Sequence, residues 1–327
     1  MQNIVLILVI ILPVILASIR YGIGTDYFNY CYLYDINKNR SIMEIVLNDG
    51  EKLFAIIYVI SNALFKDVWG VFFISSFITM FLVIKTLDYY RDKISISIGL
   101  LIYFCLLYAV SYNAVRQVMA VSIIFYAYRY IFQEKPLKYC LLVILAAQIH
   151  ITAYVCLPLY FLKYTKTYKS SFKNILFYMV ILFSPFLIFI TLKIVKMFSI
   201  SRFSSIDFDF SHIGIGFVVF ILPIVIPVLL YRKPLLKLNP KYELFINILL
   251  LEFPFQYLAY FWTYGYRMIY YASIIEVILV PLIISCVPKK NNRIMLIIYF
   301  VVWYIFKFIF EFYIRGGTQI FPYRSIW

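Results

Sequence analysis

The segment from Gln2 to Arg20 reads QNIVLILVIILPVILASIR and carries no charged side chain before its last residue. A transmembrane helix needs about 20 predominantly apolar residues to cross roughly 30 Å of hydrocarbon. The segment lacks the basic start and the small-residue cleavage site that mark a secretory signal peptide. It therefore predicts a retained membrane span, and this decides the fold class.

The apolar pattern recurs from one end of the chain to the other. Of the 327 residues, 65% are hydrophobic and 14% are charged, whereas soluble domains carry about a quarter charged residues. Further apolar stretches lie at 68–87, 96–112, 113–131, 138–163, 174–198, 212–231, 242–264, 267–288 and 293–313. We predict one all-α, polytopic membrane domain over residues 1–327, with about nine to eleven transmembrane or re-entrant helices.

The basic residues also fit a membrane protein. The formal net charge is +15, but the Lys and Arg residues are dispersed between the spans. Cytoplasmic loops carry such an excess, so we expect no nucleic-acid partner. The five cysteines lie mostly inside apolar runs and are predicted to be small buried hydrophobic residues. We expect neither a metal nor a cofactor.

Five junctions between spans are distinctly basic, and we place all of them in the cytoplasm. They lie at 85–93, 129–138, 163–173, 232–241 and 289–293. The second and third can share one side only if 138–163 enters and returns as two half-helices that turn near Gln148-Ile149-His150. Such backbone is tolerated at membrane depth only where protein or a watery cavity covers it. The alternative is a single span of about 39 Å.

The hairpin arrangement assigns several segments to the extracytoplasmic face. They are the loop 20–67 with a surface helix expected near 53–65, the segment 111–116, the turn at His150, the segments 199–211 and 264–267, and the tail 314–327. Four polar motifs fall on this face. They are RYGIGTDYFNY at Arg20–Tyr30, NAVRQ at Asn113–Gln117, QIH at Gln148–His150 and YGYR at Tyr264–Arg267.

Each motif has a functional and a structural interpretation. The glycines of the first motif predict a tight turn whose backbone N–H groups can bind an anion, but tyrosines such as Tyr27 also occur in ordinary interfacial loops. Asn113, Arg116 and Gln117 would share one helical face. An intramembrane arginine indicates function by default, although one near a helix end can reach the interface. His150 could be a base or a structural hydrogen-bonding group.

The ordered set of motifs, together with Phe321-Pro-Tyr323, resembles the EpsG family, which belongs with the Wzy-type polysaccharide polymerases. The resemblance covers nearly the whole chain. It implies a GT-C-like, metal-independent glycosyltransferase of the bacterial cytoplasmic membrane with an extracytoplasmic active face. It also implies undecaprenyl-diphosphate-linked glycans as donor and acceptor, contact with membrane lipids, and the flippase and chain-length regulator of the same pathway as candidate partners.

Chemistry assigns the roles that such a reaction needs. A lipid diphosphate leaving group requires positive charge, and guanidinium groups suit phosphate. Arg116 and Arg267 are the leading candidates, and Arg20 is the next. His150 and Asp26 compete as the base for the acceptor hydroxyl; we favour His150, with Asp26 orienting the acceptor or the histidine. The other substrate-binding candidates are Asn113, Gln117, Tyr266 and Tyr27.

Three other functions would use similar residues. A flippase or exporter of the same lipid-linked saccharide would need polar groups that can be reached in turn from both faces. A ligase of the O-antigen type would share the diphosphate chemistry but transfer finished glycan to another acceptor. A non-catalytic assembly protein would depend on no single arginine. The clustering of polar motifs on one face favours the polymerase over the exporter.

Overall fold

The computed structural model describes residues 2–164, 216–261 and 265–326, which form helices and no strand. The helices up to residue 147 are α1 Gln2–Ser18, α2 Tyr27–Asn37, α3 Ile42–Asn48, α4 Lys52–Phe65, α5 Trp69–Tyr89, α6 Ile96–Tyr103, α7 Val115–Phe132 and α8 Pro136–Ala147. The later ones are α9 Gly216–Leu230, α10 Arg232–Leu238, α11 Glu243–Leu250, α12 Glu252–Phe261, α13 Ile269–Ser273, α14 Glu276–Cys286 and α15 Lys290–Phe308.

Segments of π-helix and 3₁₀-helix extend or connect these elements. Two π-helical segments, Phe104–Tyr108 and Ile309–Ile314, extend α6 and α15. The 3₁₀ helices are Val110–Tyr112, Ile151–Tyr164, Pro240–Tyr242, Gly265–Met268 and Gly317–Gln319. The described part of the chain is therefore predominantly helical, as the apolar pattern predicted.

Three helical segments are long and apolar enough to cross a membrane: Trp69–Tyr89, Ile269–Cys286 and Lys290–Ile314. A fourth exists if Val219–Leu230 and Arg232–Leu238, bent by 57° at their junction, count as one span. Several shorter apolar helices accompany them. The chain is an all-α membrane protein. The candidate span 174–198 lies outside the described residues, so the count of nine to eleven stays a prediction.

Helix α7 lies at the centre of the bundle. It packs against α5 on one side and α8 on another, and most of its side chains are buried. A helix that is apolar all round must be surrounded by other elements. The Tyr128 hydroxyl, on α7, donates a hydrogen bond to the carbonyl of Tyr271 at 2.6 Å. This contact ties the centre of the bundle to α13, late in the chain.

The stretch 138–163 is a hairpin. The Tyr139 hydroxyl, in α8, donates to the carbonyl of Cys156 at 2.6 Å, and the rings of Tyr139 and Tyr160 lie 5.7 Å apart. A continuous helix would separate residues 139 and 156 by about 25 Å. The predicted hairpin is confirmed, with its turn between Ala147 and Ile151, and the alternative of a single span is wrong.

The first loop contains more helix than the sequence predicted. Residues 20–67 hold α2 and α3 in addition to α4, which begins at Lys52 close to the expected start. Helix α4 buries Phe54, Ile57 and Tyr58 and packs against α5, α2 and α3. It is therefore an integrated element with one buried face. The helices α2 and α3 are 11 and 7 residues long, which gives too few turns for periodicity to reveal them.

The C-terminal tail returns to the end of α1. The backbone N–H of Tyr21 donates to the carbonyl of Arg324 at 3.0 Å, and that of Ile326 donates to Ile19 at 2.8 Å. The Tyr323 hydroxyl donates to the carbonyl of Leu16 at 2.7 Å. The first loop and the tail therefore lie on the same side of the molecule, in line with the topology expected from the lysines.

Candidate active site

The motif Asn113–Gln117 brings the predicted site segments together. Helix α7 begins at Val115, so Asn113 precedes the helix and does not share a helical face with Arg116 and Gln117, contrary to expectation. Each of the three polar side chains instead contacts a different segment of the chain. The motif is thus a structural centre on which the first loop, the turn after α3 and the segment 265–268 converge.

Asn113 holds the first loop. Its Oδ1 atom accepts hydrogen bonds from the Thr25 hydroxyl at 2.7 Å and from the backbone N–H of Asp26 at 2.8 Å. The approach depends on Gly24, whose φ is +91° and where an added Cβ would lie 2.6 Å from the Tyr112 carbonyl oxygen. A side chain there would clash and would require a strained backbone. The glycine therefore serves a close contact between backbones.

Arg116 contacts a residue that the sequence analysis did not single out. Its guanidinium lies 2.7 Å from Oε2 of Glu51, between α3 and α4. The other carboxylate oxygen, Oε1, lies 2.8 Å from Nδ1 of His150 and accepts the backbone N–H of Ile151 at 3.0 Å. One carboxylate therefore bridges the predicted arginine and the predicted histidine.

The bridge stabilises the charged form of Glu51. Burial alone would raise the pKa of this carboxyl, but the hydrogen bond with His150 and the positive charge of Arg116 outweigh it and lower the pKa below its ordinary value. Glu51 is therefore ionised at neutral pH. A carboxylate only accepts hydrogen bonds, so Nδ1 of His150 carries the proton that faces it.

This tautomer leaves the other nitrogen of His150 available. In a neutral imidazole with a proton on Nδ1, Nε2 holds a lone pair. This nitrogen is buried and makes no hydrogen bond to any described residue. A histidine held on one nitrogen by a carboxylate, with a lone pair on the other, is the arrangement that general-base catalysis uses. The geometry gives His150 the means to accept a proton.

Gln117 holds the segment that carries Arg267. Its Nε2 donates to the carbonyl oxygen of Arg267, which lies in the 3₁₀ helix Gly265–Met268. The contact fixes the backbone of that segment beside the start of α7. The side chain of Tyr266 lies outside the described residues.

Two cavities flank the Asn113–Gln117 motif. The smaller cavity, about 400 Å³, is lined by Glu51 and Arg116 together with residues of α2, α4 and the turn after α3. The larger, about 750 Å³, is lined by Asn113 and Arg267 together with Glu252, Lys307, Glu311 and Arg315. No sequence motif marks Lys307 or Arg315, which lie near the end of the last span. Apolar and aromatic side chains, including Phe220 and Phe310, complete the larger cavity.

Arg20 and Tyr27 are buried against other side chains of the protein. Arg20 is 1% exposed; its guanidinium lies 3.8 Å from the centre of the Phe72 ring and donates to the carbonyls of Ala17 and Tyr112. Tyr27 is buried and its ring stacks on Phe72 at 5.5 Å. Neither residue lines the two described cavities. In this conformation Arg20 anchors the end of α1.

Asp26 lies at the start of α2. It occupies the position before the first helical residue, and its side chain makes no capping hydrogen bond there. The side chain is half-buried, and its backbone N–H is the group that Asn113 holds. Asp26 is thus placed by the Asn113 contact, while the carboxylate that contacts His150 is that of Glu51.

The importance of Glu51 has a signal in the sequence, although a weak one. It follows Asp49-Gly50 and directly precedes the apolar helix α4. An acid at that position resembles an ordinary residue at the start of a helix. The stronger indication is charge balance, because a partly buried arginine and a histidine on one face require a nearby carboxylate. Sequence alone does not decide which acid provides it.

The comparison with protein families agrees with the resemblance seen in the motifs. The model of the EpsG family matches residues 3–325, nearly the whole chain. No curated protein and no solved structure gives a significant match. The resemblance noted from the ordered motifs is therefore confirmed over the chain as a whole.

Proposed function

The chain belongs to the EpsG family, and we propose that it is a membrane glycosyltransferase that polymerises lipid-linked oligosaccharide repeat units. Family membership supports a polysaccharide polymerase-type role. We propose undecaprenyl diphosphate as the carrier lipid, and the outer side of the bacterial cytoplasmic membrane as the place of reaction. The partners are then two lipid-linked glycans, one as donor and one as acceptor.

In the proposed reaction, a hydroxyl oxygen of the acceptor sugar attacks the anomeric carbon of the donor. The bond between that carbon and the diphosphate oxygen breaks, and the lipid diphosphate leaves with the bonding electrons. His150 takes the proton of the attacking hydroxyl on Nε2. The carboxylate of Glu51 holds the imidazole and stabilises the imidazolium that forms. Asp26, the other candidate for the base, lies in the first loop, where Asn113 holds its backbone N–H.

One observation carries this proposal: a single carboxylate, Glu51, contacts both His150 at 2.8 Å and Arg116 at 2.7 Å. An isolated, exposed ion pair would contribute little to stability. The network at Glu51, in contrast, joins three groups from segments far apart in the chain. Perturbed titratable groups beside a cavity are typical of functional sites. A base and a cation held in one network are what transfer of a glycan from a diphosphate requires.

The larger cavity is the proposed position of the leaving diphosphate. Its lining includes three cationic side chains, Arg267, Lys307 and Arg315, and two acidic ones, Glu252 and Glu311, so the cationic groups outnumber the acidic groups by one. Positive groups directed at a leaving group typically stabilise the transition state strongly, and removing one such donor costs about 3–4 kcal/mol. The apolar wall of the cavity suits the adjoining isoprenoid. Arg116, beside the base, would stabilise charge at the reacting end.

The decisive experiment uses the protein's own substrate. A strain that lacks the gene accumulates the lipid-linked repeat unit, which is extracted and given to the purified protein in nanodiscs. We expect a ladder of longer glycans on gel electrophoresis. Transfer of one glycan to a foreign acceptor would identify a ligase, and movement of the lipid across a vesicle without a change in glycan length would identify a flippase or exporter.

The same assay tests metal independence. In the proposed reaction arginines supply the positive charge, so an excess of EDTA leaves the rate of ladder formation unchanged. The chain also contains Asp207-Phe208-Asp209, two carboxylates of a kind that binds divalent cations; these residues lie outside the described part of the chain. Loss of activity with EDTA, restored by Mg²⁺ or Mn²⁺, would contradict the metal-independent reaction.

A further inference from the structure

The smaller cavity differs in chemistry from the larger one. Its polar lining residues are Asn37, Asn48, Asp49, Glu51, Tyr58 and Arg116. The volume of about 400 Å³ lies within the range of small-molecule sites. The ring of Phe54 contributes an apolar wall. Amide, carboxylate and hydroxyl groups beside aromatic rings form a surface that hydrogen-bonds hydroxyl groups and packs on apolar C–H faces.

The charges of the smaller cavity are compensated within the protein. Glu51 is paired with Arg116 at 2.7 Å, and Asp49 is paired with Arg40, whose two terminal nitrogens lie 2.9 and 2.8 Å from its two oxygens. An incoming anion would meet two carboxylates, which is unfavourable. A neutral ligand with many hydroxyl groups brings no charge and can use the remaining lone pairs. The charge balance therefore favours a sugar over a phosphate.

Arg40 fixes the wall of this cavity without lining it. Besides the two bonds to Asp49, its guanidinium donates to Oδ1 of Asn37 at 2.6 Å and to Glu44 at 2.9 Å. Asn37 also donates to the carbonyl of Leu33 at 2.7 Å. The cavity wall is thus held in one geometry before any ligand arrives. Such preorganisation reduces the entropy cost of binding.

A buried group without a partner also indicates a ligand. Tyr58 is 3% exposed and lines the cavity, and its hydroxyl makes no hydrogen bond to any described residue. An unsatisfied buried hydroxyl is costly, so a bound hydroxyl group would remove a defect. Asn48 is exposed at the rim and can add a further hydrogen bond.

We propose that the smaller cavity is the subsite for the acceptor sugar, with Asp49, Asn48 and Tyr58 as its hydrogen-bonding groups and Arg40 as the positioning residue. The inference rests on the proposed function, because the acceptor is the sugar that must reach the histidine. Glu51 lines this cavity and also holds Nδ1 of His150, so a sugar here is one side chain away from the proposed base. The lipid diphosphate of the donor then occupies the other cavity.

The test measures binding and needs no catalysis. The probe is the free repeat-unit oligosaccharide released by mild acid from the lipid-linked unit, titrated into the purified protein and followed by saturation-transfer NMR. A charge-assisted hydrogen bond is worth enough to weaken binding about tenfold when lost. We expect this loss in Asp49→Asn and about threefold in Asn48→Ala. The matched control Asp35→Asn, which removes an exposed carboxylate outside the cavity, should bind as the wild type does.

The role of Arg40 is tested by comparing the binding of two ligands, because a general loss of structure would weaken both. Arg40→Gln should weaken binding of the oligosaccharide but leave binding of undecaprenyl diphosphate unchanged. Arg40→Lys should partly restore the affinity for the oligosaccharide. Wild-type protein that does not bind the oligosaccharide at millimolar concentration would overturn the subsite, as would unchanged affinity in both Asp49→Asn and Asn48→Ala. A protein that binds the oligosaccharide but forms no ladder would instead retain the subsite and reject the polymerase.

Discussion

Oε1 of Glu51 and Nδ1 of His150 lie 2.8 Å apart, although 99 positions separate the two residues in the chain. The contact joins the turn before α4 to the turn of the hairpin between α8 and the 3₁₀ helix Ile151–Tyr164. It fixes the tautomer of the histidine, and through Oε2 it also positions Arg116. The orientation of the proposed base and the charge beside it therefore depend on one carboxylate.

Replacement of Glu51 by Gln should lower ladder formation by at least about 100-fold. The amide keeps the size of the side chain but removes the charge that stabilises the imidazolium, and the equivalent change in serine proteases costs about 10⁴-fold. The measurement is the initial rate in nanodiscs. The control is Glu134→Gln, which alters an exposed ion pair with Lys241 and should retain full activity. Equal activity in the two variants would reject the role of Glu51.

Arg116→Ala should abolish the ladder, while Arg116→Lys should retain a small part of the rate. Lysine keeps the positive charge but loses the planar, multidentate contact. The matched control is Arg91→Ala, because Arg91 forms an exposed ion pair with Asp88 within one helical turn. Expression level and gel-filtration profile are compared for all three variants. Substantial activity in a well-folded Arg116→Ala protein would show that Arg116 takes no part in the reaction.

Asn113→Ala should release the first loop. The side chain accepts two hydrogen bonds from Thr25 and Asp26, and losing them leaves the partly buried N–H of Asp26 without its partner, which costs about 1 kcal/mol. Hydrogen exchange of the amides in 21–30 should accelerate about tenfold or more. Asn113→Asp keeps the accepting oxygen and should show much less acceleration. An unchanged exchange rate in the alanine variant would mean that other contacts hold the loop.

The hairpin predicts that both of its ends lie on one side of the membrane. Single cysteines are introduced at Lys138 and Lys163, which lie near its two ends, after the native cysteines have been replaced. Both should resist a membrane-impermeant thiol reagent added from outside, while a cysteine at Asp35, an exposed polar position in the first loop, should react. Labelling of only one of the two end positions would indicate that the stretch crosses the membrane.

Acid should remove the stabilising effect of Glu51. Its pKa is lower in the folded protein than its ordinary value of 4.5, so its contribution to stability is fully present above pH 4.5 and is lost as the pH falls through the lowered pKa. The difference in apparent Tm between wild type and Glu51→Gln should stay constant from neutral pH to about 4.5 and shrink below it. Thermal unfolding followed by tryptophan fluorescence measures this. A difference that disappears near neutral pH would place the titration elsewhere.

The sequence predicted the helices and the hairpin because both depend on length and hydropathy. The segments 69–89 and 115–132 lie within two residues of their expected bounds. Lysine positions led to the turn at His150 because orientation in a membrane depends on charge. The convergence of Asn113, Arg116 and His150 could also be predicted, since all were placed on one side.

Other features depend on contacts that no local pattern encodes. Glu51 lies in a turn, and its role appears only when α7 and the hairpin are packed beside it. The enclosure of Arg20 by Phe72 and Tyr112 depends on how α5 packs against α1. Lys307 and Arg315 are separated by two helical turns in the last span and share a cavity with Arg267 only through tertiary structure. Charge and composition predicted which residues lie on the extracytoplasmic face, while tertiary packing determines which of their side chains are in contact.

The two legs of the hairpin have different lengths, and this determines how deep the proposed base lies. The twelve residues of α8 rise about 18 Å, whereas the fourteen residues of the 3₁₀ leg rise about 28 Å because each adds about 2 Å. If a leg starts at the inner boundary of a 30 Å hydrocarbon core, the turn at His150 lies about 12 Å short of the outer boundary by the length of α8 and about 2 Å short by that of the 3₁₀ leg. The glycosidic bond would then form below the level of the phosphate headgroups. The carrier lipid would then have to present its sugar to a site just inside the outer boundary of the hydrocarbon.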